Sequence, residues 1–273
     1  MSQQTEQEIA LAKIRVRIDA LDRQIHQLLN ERAQCAQEVA EVKAQFEQDE
    51  VVFYRPEREA QVLRGAMERN EGPLPDAEIA RLFREVMSSC LALEQPLRVV
   101  FPGSLCSKSH QASMKQFGQS AEFVPVDSIE AIFSEVAEGS AHYGIVPIEG
   151  VDPRLSEAAV SALAKFDLAL CGEVSELGSR YLVVGDQLVG PSGEDKTALL
   201  VELRGRVEQL DEIFQQAGVH PTAIVENAAD DVCQVYIDFI GHCNSDAVQQ
   251  LCATVEQTVL RCKNLGSFPI AVL

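Results

Sequence analysis

The amino-acid sequence predicts a multidomain protein with an all-α N-terminal part, an α/β middle part and a smaller α+β C-terminal part. Residues 1–54 contain neither glycine nor proline, which favours uninterrupted helix. From Leu97 onward, short apolar strand segments alternate with helical ones, a pattern typical of α/β folds. The pattern changes again after the linker VGPSGED. We therefore place the domains at residues 1–96, 97–190 and 195–273.

The first helix is predicted to be unusually long. Its apolar residues are spaced by four and three along the sequence, as on a helix with one buried face. They are Ile14, Ile18, Leu21, Ile25 and Leu28. A helix over about residues 6–47 would be roughly 60 Å long, more than the diameter of a small domain. It therefore needs a packing partner, either the later helices or a second copy of the chain.

Two shorter helices are predicted to follow. One begins at Pro56, because proline is tolerated in the first turn of a helix, and reaches about residue 70. The break GPLPD comes next, and Asp76 is a suitable N-cap for a helix that reaches about Glu94. Pro96 ends this helix. The N-terminal part is thus predicted to be all-helical.

The middle part carries five segments that are typical of strands. Each is short and apolar and is bounded by residues that favour turns. The segments are LRVVFPG, AEFVPV, YGIVPIEG, LALCGEV and SRYLVVG. Helical segments such as SIEAIFSEVAEG lie between them. The sequence therefore predicts an α/β domain.

The C-terminal part has a different order of elements. Its segments are KTALLVEL, RVEQLDEIFQQAG, TAIVEN, CQVYIDFIG, SDAVQQLCATVEQTVLRC and KNLGSFP. They indicate a strand, a helix, two strands, a helix and a final strand. This order predicts a small ferredoxin-like α+β module.

Composition excludes several classes of partner. The formal net charge of −19 and the pI near 4.6 argue against nucleic acid, because phosphate binding needs a basic surface. No run approaches the roughly 18 apolar residues of a membrane span, and the N-terminus MSQQTEQEIALAK lacks the apolar core of a signal peptide. The eight cysteines include no C-x-x-C pair and no zinc-like spacing. We expect a cytoplasmic protein with reduced cysteines and without a metal site.

The basic residues of the helical part indicate an anion site. Arg32 and Lys43 are 11 residues apart, about three helical turns, so both lie on one face with roughly 16 Å between them. Only Ala36 and Val39 separate them on that face, which leaves a shallow gap. Arginine matches carboxylates with two hydrogen bonds and lysine supplies a point charge. The alternative is that these cations only decorate a solvated helix surface.

Arg15 adds a geometric constraint to this anion site. It precedes Arg32 by 17 residues, about 25 Å along one helix, so the two side chains cannot hold one small molecule together. If both serve one site, Arg15 comes from another chain. An intertwined homodimer with two equivalent pockets follows.

The helical part resembles a known enzyme family. The stretches that carry the resemblance are LAKIRVRIDALDRQIHQLLNERAQCAQEVAEVK, FYRPEREAQVL and IARLFREVMSSCLALEQPL. They are similar to the chorismate mutase domain that begins bacterial P-proteins, the bifunctional chorismate mutase–prephenate dehydratases, over residues 9–97. The resemblance implies rearrangement of chorismate to prephenate in phenylalanine and tyrosine biosynthesis. It implies no cofactor, because this unimolecular rearrangement needs positioning and positive charge rather than a nucleophile.

The resemblance assigns three catalytic residues and one residue from the partner chain. Arg32 and Lys43 resemble the pair that holds the carboxylate and the ether oxygen of the substrate. Glu94 occupies the place of the Gln or Glu that donates a hydrogen bond to the ether oxygen. Arg15 resembles the arginine that reaches in from the partner chain.

The resemblance also assigns substrate-binding residues in the second and third helices. Glu59 resembles the glutamate that holds the ring hydroxyl, and Arg58 supports it. Arg55 and Cys90 stand where other members carry an aspartate and a serine. The chain therefore keeps most, but not all, of the family's binding residues.

The middle part resembles prephenate dehydratase with several departures. The segment VVFPGSLCSKSHQASMKQFG stands where the family has a G-P-E-G-T-F-S loop. Gly150 and Val151 replace the Asn and Ser of the family's V-P-I-E-N-S motif. Ser179, Arg180 and Tyr181 match the family's catalytic T-R-F motif. Between CGEVSE and LGSRY the second lobe of the dehydratase is missing. The resemblance thus implies a structural remnant, because half of the walls of the cleft are absent.

The C-terminal module resembles the ACT domain that senses phenylalanine in P-proteins. Gly205–Val207 stands in place of the family's G-A-L turn, and Glu226–Ala229 in place of its E-S-R-P motif. The charged Arg206 and the loss of the Arg and Pro should spoil an amino-acid pocket. A dimerising surface does not depend on these motifs.

We therefore expect a cytoplasmic, dimeric chorismate mutase that binds chorismate and prephenate, with a truncated dehydratase-like lobe and an insensitive ACT module. Two alternatives stay open. One is a bifunctional enzyme that also makes phenylpyruvate; the other is a non-catalytic protein that binds a small anion or a partner. The joint presence of Arg15, Arg32, Lys43 and Glu59 favours catalysis.

Overall fold

The computed structural model describes residues 3–46, 54–204, 207–229 and 232–273. The described residues belong to two compact units. One contains α1 and Leu93–Gln95, and the other contains Tyr54–Ala92 and Pro96–Leu273. No helix in these described ranges has the length and apolar character that a membrane span requires.

Helix α1 spans Gln3–Phe46 without a break, close to the predicted range. Its apolar seam is exposed rather than buried: Ile14 is 54% and Leu28 is 62% accessible. Further exposed apolar residues on this helix are Ile9, Leu11, Val16, Ile18, Leu21, Ile25, Leu29, Val39 and Val42. The burial that the spacing predicts for this face is therefore not found in a single chain.

Helices α2, Pro56–Glu68, and α3, Asp76–Glu94, confirm the two predicted shorter helices. Pro56 takes the tolerated first-turn position. Asp76 is the first helical residue rather than the cap, and its carboxylate accepts a hydrogen bond from Asn70 Nδ2 at 2.7 Å. Asn70 thereby fixes the turn between the two helices.

The middle part forms a five-stranded sheet, as the strand segments predict. Its strands are β1 (Arg98–Pro102), β2 (Glu122–Val126), β3 (Tyr143–Glu149), β4 (Ala169–Glu176) and β5 (Ser179–Gly185). The order is β2-β1-β3-β5-β4, with β1 parallel to β2 and β3 and with β5 antiparallel to β3 and β4. Helices α4 (Lys108–Phe117), α5 (Ile129–Ala137) and α6 (Pro153–Lys165) connect the first four strands.

One core of this sheet also holds the start of the second helix. Tyr54, two residues before α2, is buried and packs against Phe117 and Tyr143, with ring centroids 5.4 Å and 5.3 Å apart. Because such aromatic contacts bury large apolar areas, they fix α2 against the sheet. The three domain ranges stay predictions, but α2 and most of α3 share one compact unit with this sheet.

Strands β4 and β5 are joined by a two-residue turn at Leu177 and Gly178. Both residues have positive φ, +48° and +77°, as a type I′ hairpin requires. Glu176 pairs with Ser179 directly across the turn. The position at which the resemblance expects a second lobe is thus closed by the shortest common hairpin.

The C-terminal part confirms the predicted ferredoxin-like arrangement. Its elements are β6 (Asp195–Leu203), α7 (Glu208–Gln216), β7 (Pro221–Ala229), β8 (Val232–Ile240), α8 (Asp246–Thr258) and β9 (Arg261–Pro269). The antiparallel sheet has the order β7-β8-β6-β9. Gly205 and Arg206, where the resemblance sees an altered turn, lie outside the described residues.

Candidate active sites

Arg32 and Lys43 lie on one face of α1, as their spacing predicts. Both side chains are partly buried, and so are Ala33, Ala36 and Ala40 between them. Val39, the other predicted floor residue, is instead 52% exposed. A short row of alanines therefore separates the two cations.

Glu94, at the end of α3, belongs to the same compact unit as these cations. Burial raises the pKa of the Glu94 carboxyl above its ordinary value, although the positive charge of Lys43 opposes this shift. A raised pKa favours the protonated carboxyl, which can donate a hydrogen bond. The surroundings of Glu94 thus favour its protonated carboxyl, which is the form that donates a hydrogen bond.

Arg15 is exposed on α1. Within the described ranges, no hydrogen bond or ion pair engages its guanidinium. Its distance from Arg32 along the helix, about 25 Å, is that expected for an unbroken α1. One chain therefore does not bring Arg15 and Arg32 together.

Glu59, on α2, has a largely buried side chain in the second compact unit. Its carboxylate accepts a hydrogen bond from Arg84 Nε at 2.8 Å, and the two side chains are 12% and 8% exposed. Burial raises the pKa of Glu59, and Arg84 partly counteracts this rise. Arg84 is not among the site residues that the sequence predicts, although it lies on the buried face of α3 with Ala80 and Ser88, at intervals of four residues.

The other predicted binding residues on α2 and α3 have different surroundings. Arg58 and Arg55 are exposed, and the Arg55 carbonyl accepts the backbone N–H of both Arg58 and Glu59 at the helix start. Cys90 is buried, with 6% of its surface accessible. The roles of all eight predicted site residues in binding a substrate stay predictions.

Ser179, which begins the segment similar to T-R-F, is bonded within its own chain. It is almost fully buried, and its hydroxyl donates to the Gly150 carbonyl at 2.8 Å. Gly150 has a φ of +67°, and a Cβ at this position would lie 2.2 Å from the Gly178 carbonyl oxygen. The β4–β5 turn therefore occupies the space that a side chain at position 150 would need.

Arg180 is the centre of a buried charge network. Its guanidinium donates to Glu173 and Glu149, each at 2.8 Å, and also to Asp238 of the ferredoxin-like module. Burial alone lowers the pKa of Arg180, but neighbouring Tyr236 and the carboxylates raise it above its ordinary value. Three carboxylates thus hold this arginine in its charged form.

Further residues donate to the same carboxylates, among them Thr222, which donates to Asp238. Lys196 donates to Glu173 at 2.9 Å, and Tyr236 donates to Asp238 at 2.7 Å. Glu173 and Asp238 are buried, so each needs such partners. The network joins the five-stranded sheet to the ferredoxin-like sheet. No cluster of His, Cys, Asp or Glu that could hold a metal occurs among the residues with described positions.

Two sequence families match this chain. Residues 14–95 match the family described as chorismate mutase type II, and residues 99–189 match prephenate dehydratase. The bifunctional chorismate mutase/prephenate dehydratase of Pseudomonas aeruginosa is 31% identical over 359 positions, which cover 96% of this chain and 98% of that protein. The chain belongs to the bifunctional chorismate mutase/prephenate dehydratase family.

A second relative supports the same membership. The bifunctional chorismate mutase/prephenate dehydratase of Stutzerimonas stutzeri is 32% identical, with the same coverage of both chains. The 359 aligned positions exceed the 273 residues of this chain by 86. At least that many positions of these relatives therefore have no counterpart here.

Solved structures resemble about two thirds of the chain in fold. The prephenate dehydratase of Arthrobacter aurescens, solved in complex with L-Phe, has a TM-score of 0.56 at 15% identity and covers 63% of this chain and 90% of that one. A chain described as GqqA, a novel type of quorum quenching acylase, has a TM-score of 0.57 at 16% identity and covers 64% and 95%. At these identities, the likeness concerns the fold alone.

Proposed function

We propose that this chain is a chorismate mutase that converts chorismate to prephenate and has lost prephenate dehydratase activity. The observation that carries this proposal is the partly buried pair of Arg32 and Lys43 on one face of α1, within a member of the bifunctional family. Glu94, with its raised pKa, lies in the same compact unit. These residues match those that the resemblance assigns to catalysis.

The chemistry needs little from the protein beyond charge and shape. Chorismate rearranges within one molecule, so a pocket helps by holding the compact conformer of the substrate. Arg32 and Lys43 supply positive charge where the breaking C–O bond gathers negative charge. Protonated Glu94 donates a hydrogen bond to the ether oxygen, whereas the carboxylate could only accept one.

A homodimer completes each pocket in this proposal. The apolar face of α1 is exposed along its length in one chain, which a second copy of the same helix would cover. Arg15 lies about 25 Å from Arg32 along α1, so the Arg15 that serves a pocket comes from the partner chain.

A mixture of two inactive variants tests this arrangement. Arg15→Ala and Arg32→Ala should each be inactive alone, yet a mixed dimer contains one pocket with both arginines intact. Co-refolding the two should restore up to about a quarter of the wild-type activity. If each pocket used its own Arg15, no mixture would recover activity.

The loss of dehydratase activity rests on the state of the residues that resemble its catalytic motif. Ser179 donates to a backbone carbonyl, and Arg180 is bonded to three carboxylates. Neither side chain is available to a substrate without breaking these bonds. The two-residue turn at Leu177 and Gly178 leaves no room in the chain for a second lobe at that point.

We also propose that the ferredoxin-like module is an ACT domain without phenylalanine sensing. Its strand order is that of a ferredoxin-like sheet, and Glu226–Ala229 replaces the family's E-S-R-P motif. The cytoplasm remains the compartment that the sequence predicts.

One assay tests the whole proposal. Purified full-length protein is given chorismate, and chorismate, prephenate and phenylpyruvate are followed separately at neutral pH. We expect chorismate to disappear and prephenate to accumulate, with phenylpyruvate forming only at the uncatalysed rate. Phenylpyruvate formation at a rate comparable to the mutase step would support the bifunctional alternative. Unchanged chorismate would support a non-catalytic binding protein.

A further inference from the structure

The surroundings of Glu59 extend well beyond the helix that carries it. Glu59 lies on α2, and Arg84, which donates to it, lies on α3. A buried carboxylate is costly unless it is paired, so Arg84 decides how Glu59 is held. The planar guanidinium of arginine also fixes the direction of each hydrogen bond that it makes.

Arg84 is itself held by the dehydratase-like sheet domain. Its Nη1 donates to the Lys115 carbonyl at 2.9 Å, in the last turn of α4. The last four carbonyls of a helix have no partner within that helix, and the helix dipole makes this end negative. Arg84 therefore bridges the C-terminal end of α4 to the carboxylate of Glu59.

Tyr54 and Gln116 form a second connection around Glu59. Tyr54 lies beside Glu59 and lowers the pKa of its carboxyl, and Gln116 Nε2 donates to the Tyr54 hydroxyl at 3.3 Å. A small cavity beside Glu59, Arg84 and Gln116 has room for about one water molecule. The carboxylate is thus fixed from both sides by groups that α4 supports.

We propose that Arg84 is a positioning residue for the mutase reaction, which orients the Glu59 carboxylate from the end of α4. On this inference, the dehydratase-like lobe has a present role as the support of a mutase binding residue. The inference rests on the proposed chorismate mutase function and on the role that the family resemblance assigns to Glu59, which is to hold the ring hydroxyl of the substrate.

The expected consequence concerns binding more than the chemical step. The ring hydroxyl is present in both the ground state and the transition state, so a misplaced Glu59 should mainly raise KM. Arg84 also lowers the pKa of Glu59. Without Arg84, the Glu59 carboxylate takes up its proton at a higher pH and stops accepting a hydrogen bond. The acidic limb of the kcat/KM profile should therefore move to higher pH.

The test compares two arginine variants of the full-length protein. We expect Arg84→Met to lower kcat/KM roughly 10- to 100-fold, mainly through KM, and to shift the acidic limb upward. Arg64→Met is the matched control, because Arg64 on α2 also binds this unit, donating to Ser192 Oγ at 3.1 Å and the Glu194 carbonyl at 3.0 Å, but does not contact Glu59. It should leave KM and the pH profile near those of wild type.

A double variant tests whether Arg84 acts through Glu59. In the Glu59→Gln background, Arg84→Met should add little to the loss, because the interaction is already absent. If Arg84→Met does not fold, Arg84→Lys provides the test. Lysine keeps the positive charge but cannot bridge Glu59 and the Lys115 carbonyl, so KM should still rise.

The outcomes separate this inference from the function on which it rests. An inactive wild-type protein would overturn the proposed mutase. An active wild type in which Arg84→Met matches Arg64→Met, or in which Arg84→Lys keeps a normal KM and pH profile, would overturn the positioning role alone. Fully additive losses of kcat/KM in the double variant Glu59→Gln, Arg84→Met would also overturn the positioning role.

Discussion

Arg32 and Arg180 both occupy positions that the family resemblance assigns to an active site, yet their surroundings are opposite. Arg180 is bonded to Glu149, Glu173 and Asp238 of its own chain. Arg32 is partly exposed, and none of the described residues forms a hydrogen bond or ion pair with it. An arginine that is satisfied internally acts as a structural connector, whereas one left open can still hold a substrate carboxylate.

The largest effect is expected where the structural arginine is removed. Arg180→Ala leaves Glu173 and Asp238 buried with less positive charge beside them, which should cost about 3–5 kcal/mol. Urea denaturation followed by circular dichroism measures the loss. Arg154→Ala is the control, because the ion pair between Arg154 and Asp152 is exposed. The urea midpoint of this variant should stay near that of the wild-type protein. Equal urea midpoints for the two variants would contradict the structural role of Arg180.

Removal of either α1 cation, Arg32 or Lys43, should affect activity more than stability. Arg32→Ala or Lys43→Ala removes a charge that is most important in the transition state, so kcat/KM should fall at least ~100-fold. Thermal unfolding should change little, because both side chains are only partly buried. Steady-state kinetics measures the loss of kcat/KM, and melting curves measure the stability. Near-normal turnover in either variant would remove that residue from the site.

Glu94 gives a smaller effect that depends on pH. Burial raises the pKa of Glu94, so the donating, protonated form gains population as pH falls. We expect the mutase rate to rise between pH 8 and pH 5.5. Glu94→Gln, a donor at every pH, should flatten this profile and keep the rate at pH 8. Superimposable pH–rate curves for the two proteins would exclude Glu94 from the reaction.

The smallest effect is expected for phenylalanine. A ligand that binds only the native state must stabilise it, so an intact sensor pocket would raise the melting temperature. Millimolar phenylalanine should leave both the melting temperature and the mutase rate unchanged. A rise of several degrees would show that the C-terminal module still binds the amino acid, and that only the dehydratase motif has been lost.

The elements of the fold could be predicted because they depend on local spacing. The third helix, predicted over about 76–94, spans Asp76–Glu94, and all five strand segments of the middle part form strands. The common face of Arg32 and Lys43 also follows from helical periodicity alone.

The internal bonds of the sites could not be predicted in this way. Arg84 and Glu59 are 25 positions apart, and Arg180 and Asp238 are 58 apart, so no local pattern joins them. Asp238 did carry a signal, because a carboxylate between Ile237 and Phe239 in an apolar strand needs a buried partner. Which residue supplies that partner is decided by the packing of the two sheets.

The close approach of Gly150 to the β4–β5 turn makes the turn depend on the residue at position 150. The family motif has an asparagine at that place, and any Cβ there would meet the Gly178 carbonyl at 2.2 Å. An asparagine at position 150 and the two-residue turn are therefore incompatible in one chain. A side chain restored at position 150 would push the Gly178 carbonyl away and force the β4–β5 turn open, so the absence of a Cβ at this position is what allows the turn to close.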